Sequence, residues 1–390
     1  MKFETLCLHS DNNERDEWGT INQAICQSAT FVHKGIDVDS PYSYSRLSNP
    51  TRRHLERTIA ALEGGYDAYA FSAGMTAITV AMMLIKPGSH VIATDDLYGG
   101  ALRLFRNVNK PNGIEFDFVD TSNLDEVKKK IKSNTKLIYI ETPSNPLMQV
   151  TDIKEISKIA HEIGALVYVD NTFLTPYFQR PFELGADIIL HSATKYLGGH
   201  NDTLAGFAVA KTKELAEKLL YYSKTIGGQL APFDCFLIER GIKTLPIRMD
   251  RINENALEIA RYLKTNKKIK KVYYVGLEES KGYDIIKKQS SGFGGMISIE
   301  VESKELAKKI LKDIKIFQYA ESLGGVDSLI TYPMMQTHAD VPEDERNRRG
   351  ITDRFLRISV GIENYIDLID DLRQAIGEWC WWNFMFQKNY

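Results

Sequence analysis

A lysine that directly follows an apolar run is the first feature of this chain that could carry out covalent chemistry. Lys195 stands in HSATKYLGGHNDTLAG, residues 191–206, between the hydroxyls of Ser192 and Thr194 on one side and two glycines on the other. A desolvated lysine amine loses its proton more readily and can then form a Schiff base. The neighbouring hydroxyls could hold a phosphate. The alternative is an exposed loop lysine, the common setting of this residue type.

Two further segments supply groups that could partner a phosphorylated cofactor. Asp170 ends the apolar run VYVD, where a carboxylate must be paired or hydrogen-bonded. A pyridinium nitrogen is one such partner, as in pyridoxal phosphate (PLP) enzymes, and a cap on the next turn is the alternative. In FSAGMTAI, residues 71–78, Gly74 and Met75 open a helix whose backbone N–H groups could bind a phosphate. Many strand-to-helix turns share this last pattern.

The elements that must position these residues alternate between strand and helix. Short β-branched runs at 90–96, 135–141, 165–171 and 186–192 are separated by helical stretches, which predicts a mostly parallel sheet in an α/β fold. Ligands bind at the carboxyl ends of such strands, where Asp170 and Ser192 lie. We expect three parts: an N-terminal arm at 1–50, a large domain at 51–245, and a smaller α+β domain at 246–390.

Composition and charge exclude several classes of protein. The chain has 390 residues, 43% of them hydrophobic, and a net charge of 49 − 51 = −2, which does not fit a nucleic-acid-binding surface. No apolar run is long enough to span a membrane, and the first residues do not read as a signal peptide. Four scattered cysteines predict reduced thiols in a cytoplasmic protein and no metal site.

Five motifs in one order make the pattern specific. They are Y-S-R-x-x-N-P-T, S-A-G-M-x-A, E-T-P-S-N-P, V-D-N-T-F and S-A-T-K-Y-L-x-G-H. Together they resemble the trans-sulfuration family of PLP enzymes, also called the cysteine/methionine metabolism family, over residues 20–375. The resemblance implies PLP as cofactor and the fold type I, aspartate-aminotransferase-like architecture. It also implies a homotetramer built from two active dimers, with a small sulfur amino acid as substrate.

The resemblance also assigns roles to individual residues. It makes Lys195 the Schiff-base lysine and, with Tyr98, the catalytic proton carrier. The cofactor-binding residues that it implies are Gly74, Met75, Tyr98, Asn145, Asp170, Ser192, Thr194 and Lys195, with Tyr44 and Arg46 reaching the neighbouring subunit's phosphate. The substrate-binding residues that it implies are Arg357, Ser322, Glu321, Thr337 and Arg103, with Arg357 clamping the substrate α-carboxylate.

The shared motifs do not select one reaction within the family. Glu321, in AESLGGVDSLITYP, and Gly100 with Arg103, in LYGGALRLF, are similar to cystathionine γ-synthases and γ-lyases. We therefore predict chemistry at Cγ of a cystathionine-type amino acid or an activated homoserine ester. The alternatives are a cystathionine β-lyase, a methionine γ-lyase or an O-acetylhomoserine sulfhydrylase, and more remotely a catalytically silent PLP-binding homologue.

Overall fold

The computed structural model describes residues 1–10, 19–336 and 343–377, so the predicted substrate residue Thr337 lies outside the described residues. The strands are β1 Asp67–Phe71, β2 His90–Thr94, β3 Glu115–Val119, β4 Thr135–Glu141, β5 Leu166–Asp170, β6 Ile188–Ser192, β7 Gly206–Ala210, β8 Ile269–Tyr273, β9 Met296–Val301, β10 Gln318–Tyr319, β11 Leu329–Thr331 and β12 Phe355–Ser359. The helices are α1 Phe3–His9, α2 Pro50–Glu63, α3 Gly74–Met82, α4 Gly99–Leu104, α5 Leu124–Lys129, α6 Ile153–Glu162, α7 Thr175–Phe178, α8 Lys213–Ile226, α9 Pro232–Ile242, α10 Leu245–Thr265, α11 Tyr283–Gln289, α12 Lys304–Asp313, α13 Glu343–Arg349 and α14 Tyr365–Ile376.

The large sheet has seven strands in the order β1-β7-β6-β5-β4-β2-β3. The pairs from β6 through β3 are parallel, whereas β7 runs antiparallel to both β1 and β6. This confirms the predicted α/β fold with a mostly parallel sheet. Its central strands are nearly continuous apolar runs because helices cover both faces, as in β2, where every residue is buried.

Alternate residues of each central strand enter different cores. In β5, Val167 and Val169 pack in one apolar cluster and Tyr168 packs in the other, on the opposite face of the sheet. This follows from the two-residue period of a strand. The strands β4, β5 and β6 end in the polar residues Glu141, Asp170 and Ser192, and the strand register places these three side chains on the same face of the sheet.

A second, largely antiparallel sheet of five strands follows in the order β10-β11-β12-β9-β8. Its apolar face packs with α10, α12 and α14 around a third core that includes Ile297 and Leu372. The sheet confirms the expected second α+β part of the fold. The predicted boundary at 245/246 coincides with the start of α10 and stays a prediction.

Glycines let three elements meet tightly beside the strand ends. A Cβ atom on Gly206 would lie 2.3 Å from the carbonyl oxygen of Ala73, and one on Gly74 would lie 3.0 Å from Cβ of Ser192. Only residues without side chains allow this approach of α3 to β6 and β7. Across the described ranges, no helix is both long and apolar enough to cross a bilayer.

Candidate active site

A cavity of about 350 Å³ opens at the carboxyl ends of the parallel strands, between the two sheets. The structure brings most of the predicted site residues together around it. These lining residues are Gly74, Met75, Tyr98, Asn145, Asp170, Ser192, Thr194, Lys195, Glu321, Ser322 and Arg357. They come from segments up to 283 positions apart, so the cavity is a product of the fold rather than of one motif.

Lys195 follows β6 and points its amine into the cavity. Its Nζ donates a hydrogen bond to Oγ of Ser322 at 2.7 Å. Burial, assisted by the charge of Arg357 and opposed by Glu321, lowers the pKa of Lys195 to about 8. The amine is therefore partly unprotonated near neutral pH, as a nucleophilic or proton-carrying lysine requires.

Asp170 stands at the end of β5 on the cavity side. Its Oδ1 accepts hydrogen bonds from the backbone N–H of Thr172 at 3.0 Å and from its hydroxyl at 2.5 Å. The Thr172 hydroxyl in turn accepts the backbone N–H of Ser192, so one residue ties the ends of β5 and β6 together. Burial raises the pKa of Asp170, whereas the bonds from Thr172 oppose that change.

The N-terminus of α3 lies against Ser192. Gly74 and Met75 are its first residues, and the first N–H groups of a helix have no partner within it. Ser192 and Thr194 line the same cavity wall, where the Thr194 hydroxyl donates to the Ala205 carbonyl at 3.3 Å and accepts the Ala205 N–H at 3.0 Å. Backbone donors, hydroxyls and the positive end of a helix together form a setting that suits a phosphate group.

Arg357, on β12, is 2% exposed and forms the opposite wall. One guanidinium nitrogen donates to Oδ1 of Asn145 at 3.0 Å, and the other donates to the Ser322 carbonyl at 2.9 Å and to Thr331 Oγ1 at 3.2 Å. Burial lowers the pKa of Arg357 to about 10, so it remains a cation at neutral pH. These three acceptors are neutral, which leaves its positive charge available to an anionic ligand.

Tyr98 precedes α4 and places its ring on the cavity wall, 43% exposed. A Cβ atom on Gly100 would lie 2.5 Å from the Tyr98 ring, so the ring packs directly on that glycine. The backbone N–H of Tyr98 donates to Oε2 of Glu141 at 3.0 Å.

Glu141 and Thr172 are site residues that the sequence reasoning missed. Glu141 lines the cavity and stands in register with Asp170 on the adjacent strand. The signal for it was present, because it ends the predicted strand TKLIYIE as Asp170 ends its own. Thr172 carried no comparable signal beyond its place in V-D-N-T-F.

Three other predicted residues lie away from the cavity wall. Arg46 donates to the Lys224 carbonyl at 2.7 Å and lies over the ring of Tyr44, and both side chains are exposed. Arg103, on α4, is also exposed and does not line the cavity. The roles predicted for Tyr44, Arg46 and Arg103 stay predictions.

The cavity residues fit PLP. A partly buried amine with a lowered pKa lines the cavity, a partly buried carboxylate from Asp170 lines it as well, and the N-terminus of α3 lies against Ser192 on the same wall. These are the groups that an aldehyde, a pyridine nitrogen and a phosphate require. Fold and cavity thus define a PLP-dependent enzyme.

The chain belongs to the Cys/Met metabolism PLP-dependent enzyme family, whose sequence profile matches residues 4–377. This confirms the predicted family, the cofactor and the assignment as an enzyme. The chain is 48% identical to the cystathionine γ-lyase of Bacillus subtilis (strain 168), over 96% of this chain and 99% of that protein. It is 47% identical to the cystathionine β-lyase of Lactococcus lactis subsp. cremoris (strain MG1363), over 96% and 98%.

Solved structures show the same architecture. The crystal structure of cystathionine γ-lyase from Lactobacillus plantarum complexed with L-serine superposes with a TM-score of 0.95 at 41% identity, covering 97% of this chain and 99% of that one. A cystathionine γ-synthase from Xanthomonas oryzae pv. oryzae, in complex with aminoacrylate and cysteine, gives a TM-score of 0.93 at 37% identity, over 96% and 98%. These relatives confirm the predicted fold type.

Proposed function

We propose that this PLP-dependent enzyme acts at Cγ of a cystathionine-type sulfur amino acid or an activated homoserine ester. The observation that carries this proposal is the place of Glu321. Its carboxylate lines the cavity with Lys195 and Arg357, and it also lines the more open groove outside. A substrate held by its α-carboxylate at Arg357 can extend a distal ammonium group towards Glu321.

The residues that would hold the cofactor are those that the sequence predicted. Lys195 would bind it covalently and Asp170 would face its ring nitrogen. The phosphate would be bound by Ser192, Thr194, Gly74 and Met75. The cofactor ring would be contacted by Tyr98 and Asn145. When bound, PLP supplies an electron sink for negative charge at the substrate α-carbon.

The proton transfers fall to this chain's own side chains. Lys195, released when substrate binds, is the base that removes the proton from Cα, and its pKa of about 8 suits that task near neutral pH. Ser322 Oγ accepts the hydrogen bond that directs this amine. Tyr98 is the second proton carrier. Loss of a further proton, from the substrate Cβ, allows the group on the substrate Cγ to leave. Arg357 orients the substrate by its α-carboxylate.

We also propose that the active unit is a dimer within a homotetramer. The N-terminal arm leaves apolar side chains in solvent, with Ile21 88% and Val32 90% exposed. Such side chains suit burial against a second copy of the chain. Tyr44 and Arg46, on the same arm, would then reach the partner's phosphate site. The free thiols of Cys7, Cys26 and Cys235 suit the cytoplasm proposed for this enzyme.

Cleavage at Cβ is the second candidate. It is favoured by the 47% identity to the Lactococcus cystathionine β-lyase, which is nearly as high as that to the Bacillus cystathionine γ-lyase. A synthase or sulfhydrylase is supported by a B. subtilis relative at 45% identity, a cystathionine γ-synthase/O-acetylhomoserine (thiol)-lyase.

The test is to incubate the PLP-loaded protein with L-cystathionine and identify the keto acid by mass. We expect 2-oxobutanoate, or, if no keto acid forms, synthesis of cystathionine from an O-acylhomoserine and cysteine. Pyruvate would overturn the proposal. Glu321→Gln should raise KM for cystathionine but not for a shorter substrate without the distal amine, whereas the exposed Glu302→Gln should change neither.

A further inference from the structure

Glu141 is a buried carboxylate in the cavity wall to which the proposed function gives no task. It is 6% exposed and ends β4. It stands in register with Asp170 on the adjacent parallel strand, whose backbone lies about 4.8 Å away, so the two side chains project from the same face of the sheet and both line the cavity. A buried carboxylate is costly unless it is hydrogen-bonded, so its partners indicate what it is for.

The partner of Glu141 is the main chain at Tyr98. Oε2 accepts the Tyr98 N–H at 3.0 Å, across 43 positions of sequence. This N–H precedes α4 and belongs to the residue that carries the phenol. A hydrogen bond from a backbone N–H to a buried carboxyl oxygen is costly to lose, because the N–H would be left without a partner. Glu141 therefore fixes where α4 begins and the Cα from which the Tyr98 side chain projects.

The packing around the Tyr98 ring leaves its placement dependent on that backbone anchor. The ring is 43% exposed and rests on Gly100, and a Cβ atom at that glycine would lie 3.0 Å from Sδ of Met75. A half-exposed ring that rests on a glycine has little side-chain packing to fix its position. The bond at its backbone N–H is the firm restraint.

The electrostatic setting supports the same role. Burial and the neighbouring Asp170 raise the pKa of Glu141 well above its ordinary value, and the bond from Tyr98 and the charge of Arg357 oppose this. A carboxyl group in either protonation state keeps an oxygen that can accept the Tyr98 N–H. The anchor thus survives changes of charge in the cavity.

We propose that Glu141 is a positioning residue that places the Tyr98 hydroxyl for proton transfer by holding the Tyr98 backbone N–H. This inference rests on the proposed role of Tyr98. Glutamine at position 141 keeps an acceptor oxygen at the same reach, whereas alanine removes it. Glu141→Gln should therefore retain kcat within about threefold, and Glu141→Ala should lower kcat about tenfold with little change in KM.

The test is a double-mutant cycle in the PLP-loaded enzyme, with kcat and KM measured for Glu141→Ala, Tyr98→Phe and the double variant. If Glu141 acts through the Tyr98 hydroxyl, Glu141→Ala should cost less than about twofold in the Tyr98→Phe background. Equal losses in both backgrounds would overturn the inference, as would a Glu141→Gln loss equal to that of Glu141→Ala. If Tyr98→Phe leaves kcat unchanged, the proposed role of Tyr98 fails instead, and the inference with it.

Glu56→Ala is the control for Glu141→Ala. Glu56 is also 6% exposed and accepts the backbone N–H of Ala70 at 3.0 Å, but it pairs with Arg52 and Arg53 and does not line the cavity. The substitution at Glu56 should change the stability of the protein. Its effect on kcat should be the same with Tyr98 and with Tyr98→Phe, so the two substitutions should show no coupling. If Glu141→Ala does not fold, Glu141→Asp takes its place in the cycle, because its shorter side chain withdraws the oxygen from the Tyr98 N–H.

Discussion

The ends of β5 and β6 carry polar side chains on both faces of the large sheet, and the two faces differ. On the face away from the cavity, Glu63 Oε1 bonds to Nε2 of His191 at 2.5 Å and to Nδ2 of Asn171 at 3.0 Å. Asn171 and Gln179 also bond each other. These four side chains are at most 2% exposed, and their main partners are one another.

On the cavity face, Asp170 and Ser192 alternate with those residues along the same strands. There Lys195, Asp170 and Arg357 line one cavity, and burial shifts the pKa of Lys195 down and of Asp170 up. On one face the polar groups bond mainly to one another, with only Glu63 Oε2 and His191 Nδ1 of these four side chains left without a partner, whereas on the other face they line a cavity open to a ligand. Neighbouring positions in one motif can thus serve structure and chemistry separately.

Lys195→Ala should have the largest effect on the cavity face. It removes the amine that binds the cofactor and carries protons, so turnover should fall by at least about 10³-fold, with loss of the visible absorbance of the lysine-bound cofactor. Lys211→Ala, at an exposed lysine, should leave both unchanged. Full turnover by Lys195→Ala would contradict the assignment of the cavity face to the chemistry.

Asp170→Asn and Glu63→Gln compare the two faces directly. Asp170→Asn should lower kcat about 10²-fold without lowering Tm, because a buried carboxylate with a raised pKa does not stabilise the fold at neutral pH. Glu63→Gln should instead lower the free energy of unfolding by about 1–3 kcal/mol and leave kcat within about twofold. The measurements are thermal unfolding and steady-state kinetics on both variants. If the two faces share one role, both variants should lose kcat and stability to a similar extent.

Arg357→Lys should act on substrate binding. Lysine keeps the charge but loses the planar pair of donors, so KM should rise about 10- to 100-fold with a smaller change in kcat. Arg354→Lys is the control on the same chain segment, since Arg354 pairs with Glu300 on the outside of the sheet. An unchanged KM for Arg357→Lys would place the substrate carboxylate elsewhere.

The smallest predicted effect is a pH midpoint. Because burial and Arg357 lower the pKa of Lys195 to about 8, the neutral amine accumulates as pH rises through 8 rather than through 10.5. The rate at which cofactor-free protein forms its covalent linkage with added PLP can be followed by absorbance. This rate should increase with pH, with a midpoint near pH 8. Glu321→Gln removes the charge that opposes the shift and should move the midpoint lower. A wild-type midpoint near 10.5 would show that the amine is solvated.

Much of this architecture could be predicted from sequence because its signals are local. Alternating β-branched runs and helices predicted the parallel sheet, and Asp170 and Lys195 were found because each directly follows such a run. Contacts over long separations carried no local signal. The bonds from Glu141 to Tyr98 and from Arg357 to Asn145 span 43 and 212 positions, and only the folded chain reveals them.

Residues that we propose to act in a neighbouring subunit mark the other limit. Tyr44 and Arg46 stand in a motif that predicts a phosphate site, yet in one chain they lie on the exposed arm beside Lys224. Glu63 and His191 pair within one chain, but they are 128 positions apart and nothing in the sequence suggested that they pair. Both cases follow from tertiary or quaternary placement, which hydrophobic periodicity does not encode.

The most direct test of the account is to locate the cofactor linkage. The PLP-loaded enzyme is reduced with borohydride, digested, and mapped by mass spectrometry for the lysine that carries the reduced cofactor. We predict that the modified residue is Lys195. Stoichiometric modification of any other lysine, with Lys195 unmodified, would contradict it.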